Sequence, residues 1–152
     1  MTPDYALLCE SLKALAEEEK AAVPLLANAS ALLVQALEGL NWAGFYLLRE
    51  GRLVLGPFQG KPACIHIAVG KGVCGTAVQE DRTLRVDDVH AFPGHIACDG
   101  ASRSEIVVPL RKEGVILGVM DLDSPRPARF TAADQAGLEA FARLLGGCMV
   151  LT

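Results

Sequence analysis

Apolar residues recur at helical spacing through the first quarter of the chain. Strand-like alternation then recurs in six separate segments of the remaining residues. Leu8, Leu12 and Leu15 share one helix side. Leu25, Ala29, Leu32, Leu33, Ala36 and Leu37 repeat that spacing after Pro24, which suits a first helical turn. Residues 4–38 thus read as two helices, with Glu17-Glu18-Glu19-Lys20 solvated and Gly39 stopping the second. The period then falls to two. Residues 41–48 read as a strand with Trp42, Gly44, Tyr46 and Leu48 on one face and Ala43, Phe45 and Leu47 on the other. Two aromatics flanking a glycine on one strand face make a slot, two ring walls with nothing between, unless they are ordinary core rings. Residues 52–59 form the next strand, disturbed at Gly56-Pro57. In a strand over 64–69, Ile65, Ile67 and Val69 face the core and Cys64 shares the opposite face with His66. A short helix opens in Gly70-Lys71-Gly72-Val73-Cys74-Gly75-Thr76, and residues 83–86 make a short strand. Thr131 caps the last helix with Asp134 at the capping-box position, ahead of a stripe of Leu138, Phe141, Leu145 and Met149. Gly146-Gly147 should weaken its end.

Residues 105–111 and 115–123 form a hairpin whose register governs the chemistry. A three-residue loop, Lys112-Glu113-Gly114, pairs Arg111 with Val115, Val107 with Val119 and Glu105 with Asp121. Asp123 follows on the same face, so three carboxylates converge at one end of the sheet. A two-residue turn would set Glu105 against Leu122, on the wrong face. Clustered carboxylates repel one another unless a cation neutralises them. The cluster is therefore a pocket for an ammonium group or a metal, or else a hydrated strand end with splayed charges.

The length of 152 residues allows one domain with a real core, spanning residues 1–152. A net charge of −4 without a basic block argues against a nucleic-acid surface. The N-terminus shows no leader pattern, and the most apolar run, residues 21–34, is too short to span a bilayer. The expectation is a cytoplasmic protein with no membrane role.

Five cysteines stand at positions 9, 64, 74, 98 and 148, without a CxxC pair. In a reducing cytoplasm such thiols are core fillers, ligands or redox catalysts rather than staples. Cys98 lies in residues 87–104, which lack periodicity and contain Pro93, Gly94 and Gly100; such runs are commonly functional. Arg103, or His90 or His95 when protonated, would favour its thiolate. Cys74, in the first turn of its helix, is a rival because the helix dipole there lowers a thiol pKa, unless it is a small buried thiol packing under that helix. His90, His95 and Cys98 match no common zinc spacing, so no metal site is expected. Cys9 and Cys148 read as bystanders.

The segments NWAGFYLL, LVLGPFQGKPAC, GKGVCGTAV, DVHAFPGHIACDGASRSEIVVPL and GVMDLDS resemble the free methionine-(R)-sulfoxide reductases, single-domain GAF proteins. The resemblance runs from about Leu26 to Phe141 and is specific, because separate motifs occur in order. It implies an α/β (α+β) fold, a central antiparallel six-stranded sheet flanked by N-terminal and C-terminal helices. It implies reduction of the R epimer of free methionine sulfoxide, not of the residue within a protein. By motif, Cys98 corresponds to the nucleophile, Cys64 to the principal resolving cysteine and Cys74 to a third cysteine able to take part in exchange. Trp42 and Tyr46 correspond to the aromatic walls, and Glu105, Asp121 and Asp123 to the acidic cluster that holds the substrate's polar end. No cofactor is implied; thioredoxin as reductant and a homodimer are. The family more often carries alanine at position 100 and an uncharged residue at 103, where this chain has Gly100 and Arg103.

In that chemistry the Cys98 thiolate attacks the sulfoxide sulfur while Asp121 or Asp123 protonates the oxygen. Methionine leaves a sulfenic acid on Cys98, and Cys64 converts it to a disulfide. The rival expectations are a GAF sensor that binds a small molecule without turnover, and a thiol-based redox sensor.

Overall fold

The computed structural model describes residues 2–95 and 100–151. Two helices, α1 (Tyr5–Glu18) and α2 (Ala22–Ala36), precede strands β1 (Trp42–Arg49), β2 (Arg52–Gly60) and β3 (His66–Ala68). Helix α3 (Gly72–Glu80) leads to β4 (Leu84–Val86), and a short 3-10 turn (Val89–Ala91) comes next. The hairpin β5 (Ser104–Lys112) and β6 (Val115–Ser124) and the final helix α4 (Ala132–Cys148) complete the chain. The strands form one six-stranded antiparallel sheet in the order β3-β2-β1-β6-β5-β4.

Period-two alternation gives this sheet two apolar faces. Phe45, Ile106, Val108, Met120 and Leu122 pack with Leu12, Leu26, Leu33, Phe141 and Leu145 of α1, α2 and α4 into the larger core. Trp42, Tyr46, Val107 and Val119 face the other way, onto Val73, Cys74 and Ala77 of α3. Glu105, Asp121 and Asp123 share strand parity with Val107 and Val119, so they emerge on the α3 side. The helix starts follow their sequence signals. Asp4 accepts from the Leu7 amide at 3.0 Å, and Thr131 and Asp134 make the reciprocal capping box. Tyr5 of α1 donates to Asp134 at 2.7 Å, tying α1 to the start of α4.

The hairpin register differs from expectation. Glu113 and Gly114 alone turn the chain, both with positive φ (53° and 80°), and Lys112 pairs with Val115. That two-residue turn would put the carboxylates on the wrong face. A bulge corrects the parity: Arg111 pairs with Ile116 but Leu110 with Gly118, leaving Leu117 unmatched. Glu105 therefore sits opposite Asp123, and Asp121 opposite Val107. The carboxylates keep their common face, two residues out of the expected register.

Strand β3 is shorter than the pattern implied. Only Ile67 is buried, whereas Ile65 and Val69 are 62% and 38% exposed. The chain is an edge here, pairing with β2 at Arg52, Leu53 and Val54. Helix α4 runs through Gly146, where a Cβ would strike the Arg111 carbonyl; the glycine permits close helix–sheet packing instead of ending the helix.

Gly118 plays the same part between strands. A Cβ there would lie against the Tyr46 carbonyl and 2.9 Å from the Leu47 Cα, both immobile backbone. Gly118→Ala is expected to cost about 1–3 kcal/mol, the range for overpacking a core, read as a lower midpoint in urea unfolding.

Candidate active site

The α3 face of the sheet holds a cavity lined by Trp42 and Tyr46 of β1, Ile67 of β3, Val73 and Cys74 of α3, and Glu105, Asp121 and Asp123 of the hairpin. Its rim includes Pro62, Ala63, Lys71, His95 and Ser102. Water centres would have about 50 Å³ to occupy, room for several molecules.

One wall is aromatic. The Trp42 and Tyr46 ring centroids lie 6.0 Å apart at 25°, and Trp42 also stacks on Phe58 at 5.2 Å and 17°. Of the two readings of the space over Gly44, the open slot fails. Phe58 pairs with Gly44 across the sheet, and its Cβ lies against the place a Gly44 Cβ would take. Phe58 was missed because its position depends on sheet pairing past the Gly56-Pro57 bulge. Both wall residues also donate outward: Trp42 Nε1 to the Lys61 carbonyl at 3.2 Å and the Tyr46 hydroxyl to the Cys64 carbonyl at 3.0 Å.

The floor is acidic and buried. Glu105, Asp121 and Asp123 are all buried, the first two 7% and 6% exposed. Burial, then the charge of Asp123, pushes Asp121 up to about 8. Burial, then the Asp121 charge, drives Glu105 well above the ordinary carboxylate range, and it donates a hydrogen bond to Asp121. Asp121 also accepts from Cys74, yet its Oδ1 is buried with no hydrogen-bond partner among the described residues. A buried carboxylate oxygen without a donor is costly, and a cationic ligand would satisfy it. Candidate ligand atoms of Cys74, Glu105 and Asp121 lie within 4.8 Å of one another, a donor set able to hold an ammonium group or a metal ion.

Of the two readings of Cys74, the structure takes the small buried thiol under α3. Burial first, then the charges of Asp121, Glu105 and Asp123, raise its thiol well above the ordinary value, overriding the helix terminus. The dipole reading weighed one local field, whereas the hairpin delivers three carboxylates to the same place. His95 is half-buried, its ring 6.2 Å from that of His90; burial and then His90 hold it below the ordinary imidazole value. It is therefore mainly uncharged at neutral pH and supplies no cation to a thiolate. Cys64 is half-buried on the β2–β3 connection. Cys98, the expected nucleophile, lies outside the described residues.

A six-stranded antiparallel sheet with a small-molecule cavity under α3 defines a GAF domain, and the GAF domain family model matches residues 14–149. The chain belongs, within that class, to the free methionine-R-sulfoxide reductases, a family of oxidoreductases. It is 55% identical to the free methionine-R-sulfoxide reductase of Escherichia coli over 137 residues, 90% of this chain and 83% of that protein. The fRMsr of Staphylococcus aureus in complex with substrate superposes with a TM-score of 0.90 at 51% identity, covering 96% of this chain and 95% of that one. The free methionine-R-sulfoxide reductase of Neisseria meningitidis in complex with its substrate gives 0.89 at 42%, covering 93% and 86%.

Proposed function

We propose that the cavity binds free methionine-R-sulfoxide and that the protein reduces it to methionine. The observation that carries this is the acidic floor beneath an aromatic wall. An amino-acid ammonium placed over Asp121 meets the unpartnered Oδ1, and the methyl end of the side chain then lies toward Trp42 and Tyr46. A peptide would have to carry its chain past the same buried carboxylates.

Cys98 supplies the attacking thiolate in this reading, on the strength of its motif. The sulfoxide oxygen needs a proton as the sulfur is attacked, and the Glu105–Asp121 pair retains one at neutral pH because both groups are raised. Methionine departs with two electrons from Cys98, which keeps the oxygen as a sulfenic acid. The Cys64 thiol displaces that oxygen as water, and the resulting disulfide is reduced by a dithiol, which we take to be thioredoxin. Cys64 is disulfide-bonded whereas Cys9, Cys74 and Cys148 are free thiols, which supports the role given to Cys64. A reducing cytoplasm suits the cycle. Among the described residues no helix is long and apolar enough to cross a membrane.

The test is turnover with a dithiol and each sulfoxide epimer, free and within a peptide. Methionine should form from the free R epimer alone, and mass spectrometry after one turnover without reductant should show a new disulfide at Cys64. Tight binding without methionine formation would instead mark a ligand sensor. A disulfide formed with peroxide alone, and no methionine, would mark a redox sensor.

A further inference from the structure

We propose that Trp42 and Tyr46, the rings that wall the cavity, are also positioning residues for Cys64, clamping both ends of the segment that carries it. The inference rests on the reading of Cys64 as the resolving thiol. Residues 61–65 join β2 to β3 and form no ladder of their own. Pro62 has no amide donor. The segment's carbonyls are instead held from below: Lys61 by Trp42 Nε1 at 3.2 Å, Cys64 by the Tyr46 hydroxyl at 3.0 Å, and Ile65 by the Leu55 amide at 2.8 Å. Two of these three donors are side chains of one strand, four residues apart on one face. Gly60 starts the segment with φ of +140°, and a Cβ there would fall 2.5 Å from the Trp42 ring and 2.9 Å from the Asn41 carbonyl. The chain therefore leaves β2 directly across the indole. The Tyr46 hydroxyl points at the Cys64 carbonyl although it sits among acidic groups. Burial, and then those charges, keep the phenol protonated as a donor. It is thus engaged with the backbone and is not the acid of the reaction.

Disulfide closure tolerates a narrow range of Cα separations, so a segment released at one end should reach the productive geometry less often. The step concerned is Cys98–SOH plus Cys64–SH giving the disulfide and water. Losing one ordinary hydrogen bond, about 1 kcal/mol, corresponds to about a five-fold change.

The experiment tracks one turnover of the reduced protein with free methionine-R-sulfoxide. Rapid quenching measures methionine, and dimedone trapping with mass spectrometry measures the sulfenic acid. Tyr46→Phe keeps the ring wall and removes the donor; Trp42→Phe removes the indole N–H and leaves a smaller ring in the wall. In each variant disulfide formation should slow about five-fold more than methionine formation does, with trapped sulfenic acid persisting correspondingly longer. Parallel losses in both phases with a raised KM would overturn the inference, leaving the rings as substrate walls only. So would disulfide formation at the wild-type rate in both variants. Wild-type protein that made methionine without ever oxidising Cys64 would remove the reading of Cys64 itself, a separate failure visible in the control.

Discussion

Asp121→Asn is expected to lower kcat/KM for free methionine-R-sulfoxide by about 10²–10³-fold and to stabilise the unliganded fold at pH 8. Both effects have one source. Asp121 is buried beside Glu105 and Asp123, and its carboxyl is raised to about 8. In the unfolded chain it ionises near 3.8. Between those values the folded state holds a proton that the unfolded state has released, so stability falls as pH rises through that window, by up to about 1.4 kcal/mol per unit for each such group. Glu105 is raised for the same reasons and adds to the same slope. Asparagine cannot ionise, so that contribution to the pH dependence vanishes. Thermal unfolding between pH 5 and 8 should show a declining Tm in the wild type and a flatter profile in Asp121→Asn. The activity loss arises because the amide cannot deliver the proton that the carboxyl retains, a function worth about 10²–10⁴-fold in acid–base catalysis. Near-wild-type kcat/KM in this variant would remove Asp121 from the site. A Tm slope unchanged from wild type would remove the raised carboxyl.

That coupling explains which parts of the molecule were legible in the chain. The helices were readable because Leu8, Leu12, Leu138, Phe141 and Leu145 each repeat an apolar stripe that only a core can satisfy. The convergence of Glu105, Asp121 and Asp123 was readable because strand parity survives a two-residue shift in register. The register itself was not. It depends on whether Leu117 bulges, and the bulge is set by backbone close packing at Gly118 and by a turn in which Glu113 accepts positive φ. Phe58 escaped for a related reason: its place over Gly44 exists only once β1 and β2 are paired. At Cys74 the helix terminus was legible but not decisive, because burial, and then charges distant in sequence, outweigh the roughly half elementary charge of a helix terminus.

Cys98→Ser should therefore abolish methionine formation, by at least about 10³-fold, whereas Cys74→Ser should cost less than about ten-fold. A thiol with an ordinary pKa is only a few per cent ionised at pH 7. Cys74 is raised well above even that by burial and by Asp121, Glu105 and Asp123, so its thiolate is scarce in the resting protein. It donates to Asp121, and a serine hydroxyl can replace that donation. At position 98 the substitution has no such remedy. A serine hydroxyl is far less ionised than a thiol and cannot become a sulfenic acid, so neither the attack on sulfur nor the step at Cys64 can proceed. Single-turnover methionine yield separates the two: near one per protein for Cys74→Ser and none for Cys98→Ser. A full burst from Cys98→Ser that disappears in Cys74→Ser would transfer the nucleophile to α3. The buried acidic floor would then have to favour a thiolate that its own charge opposes.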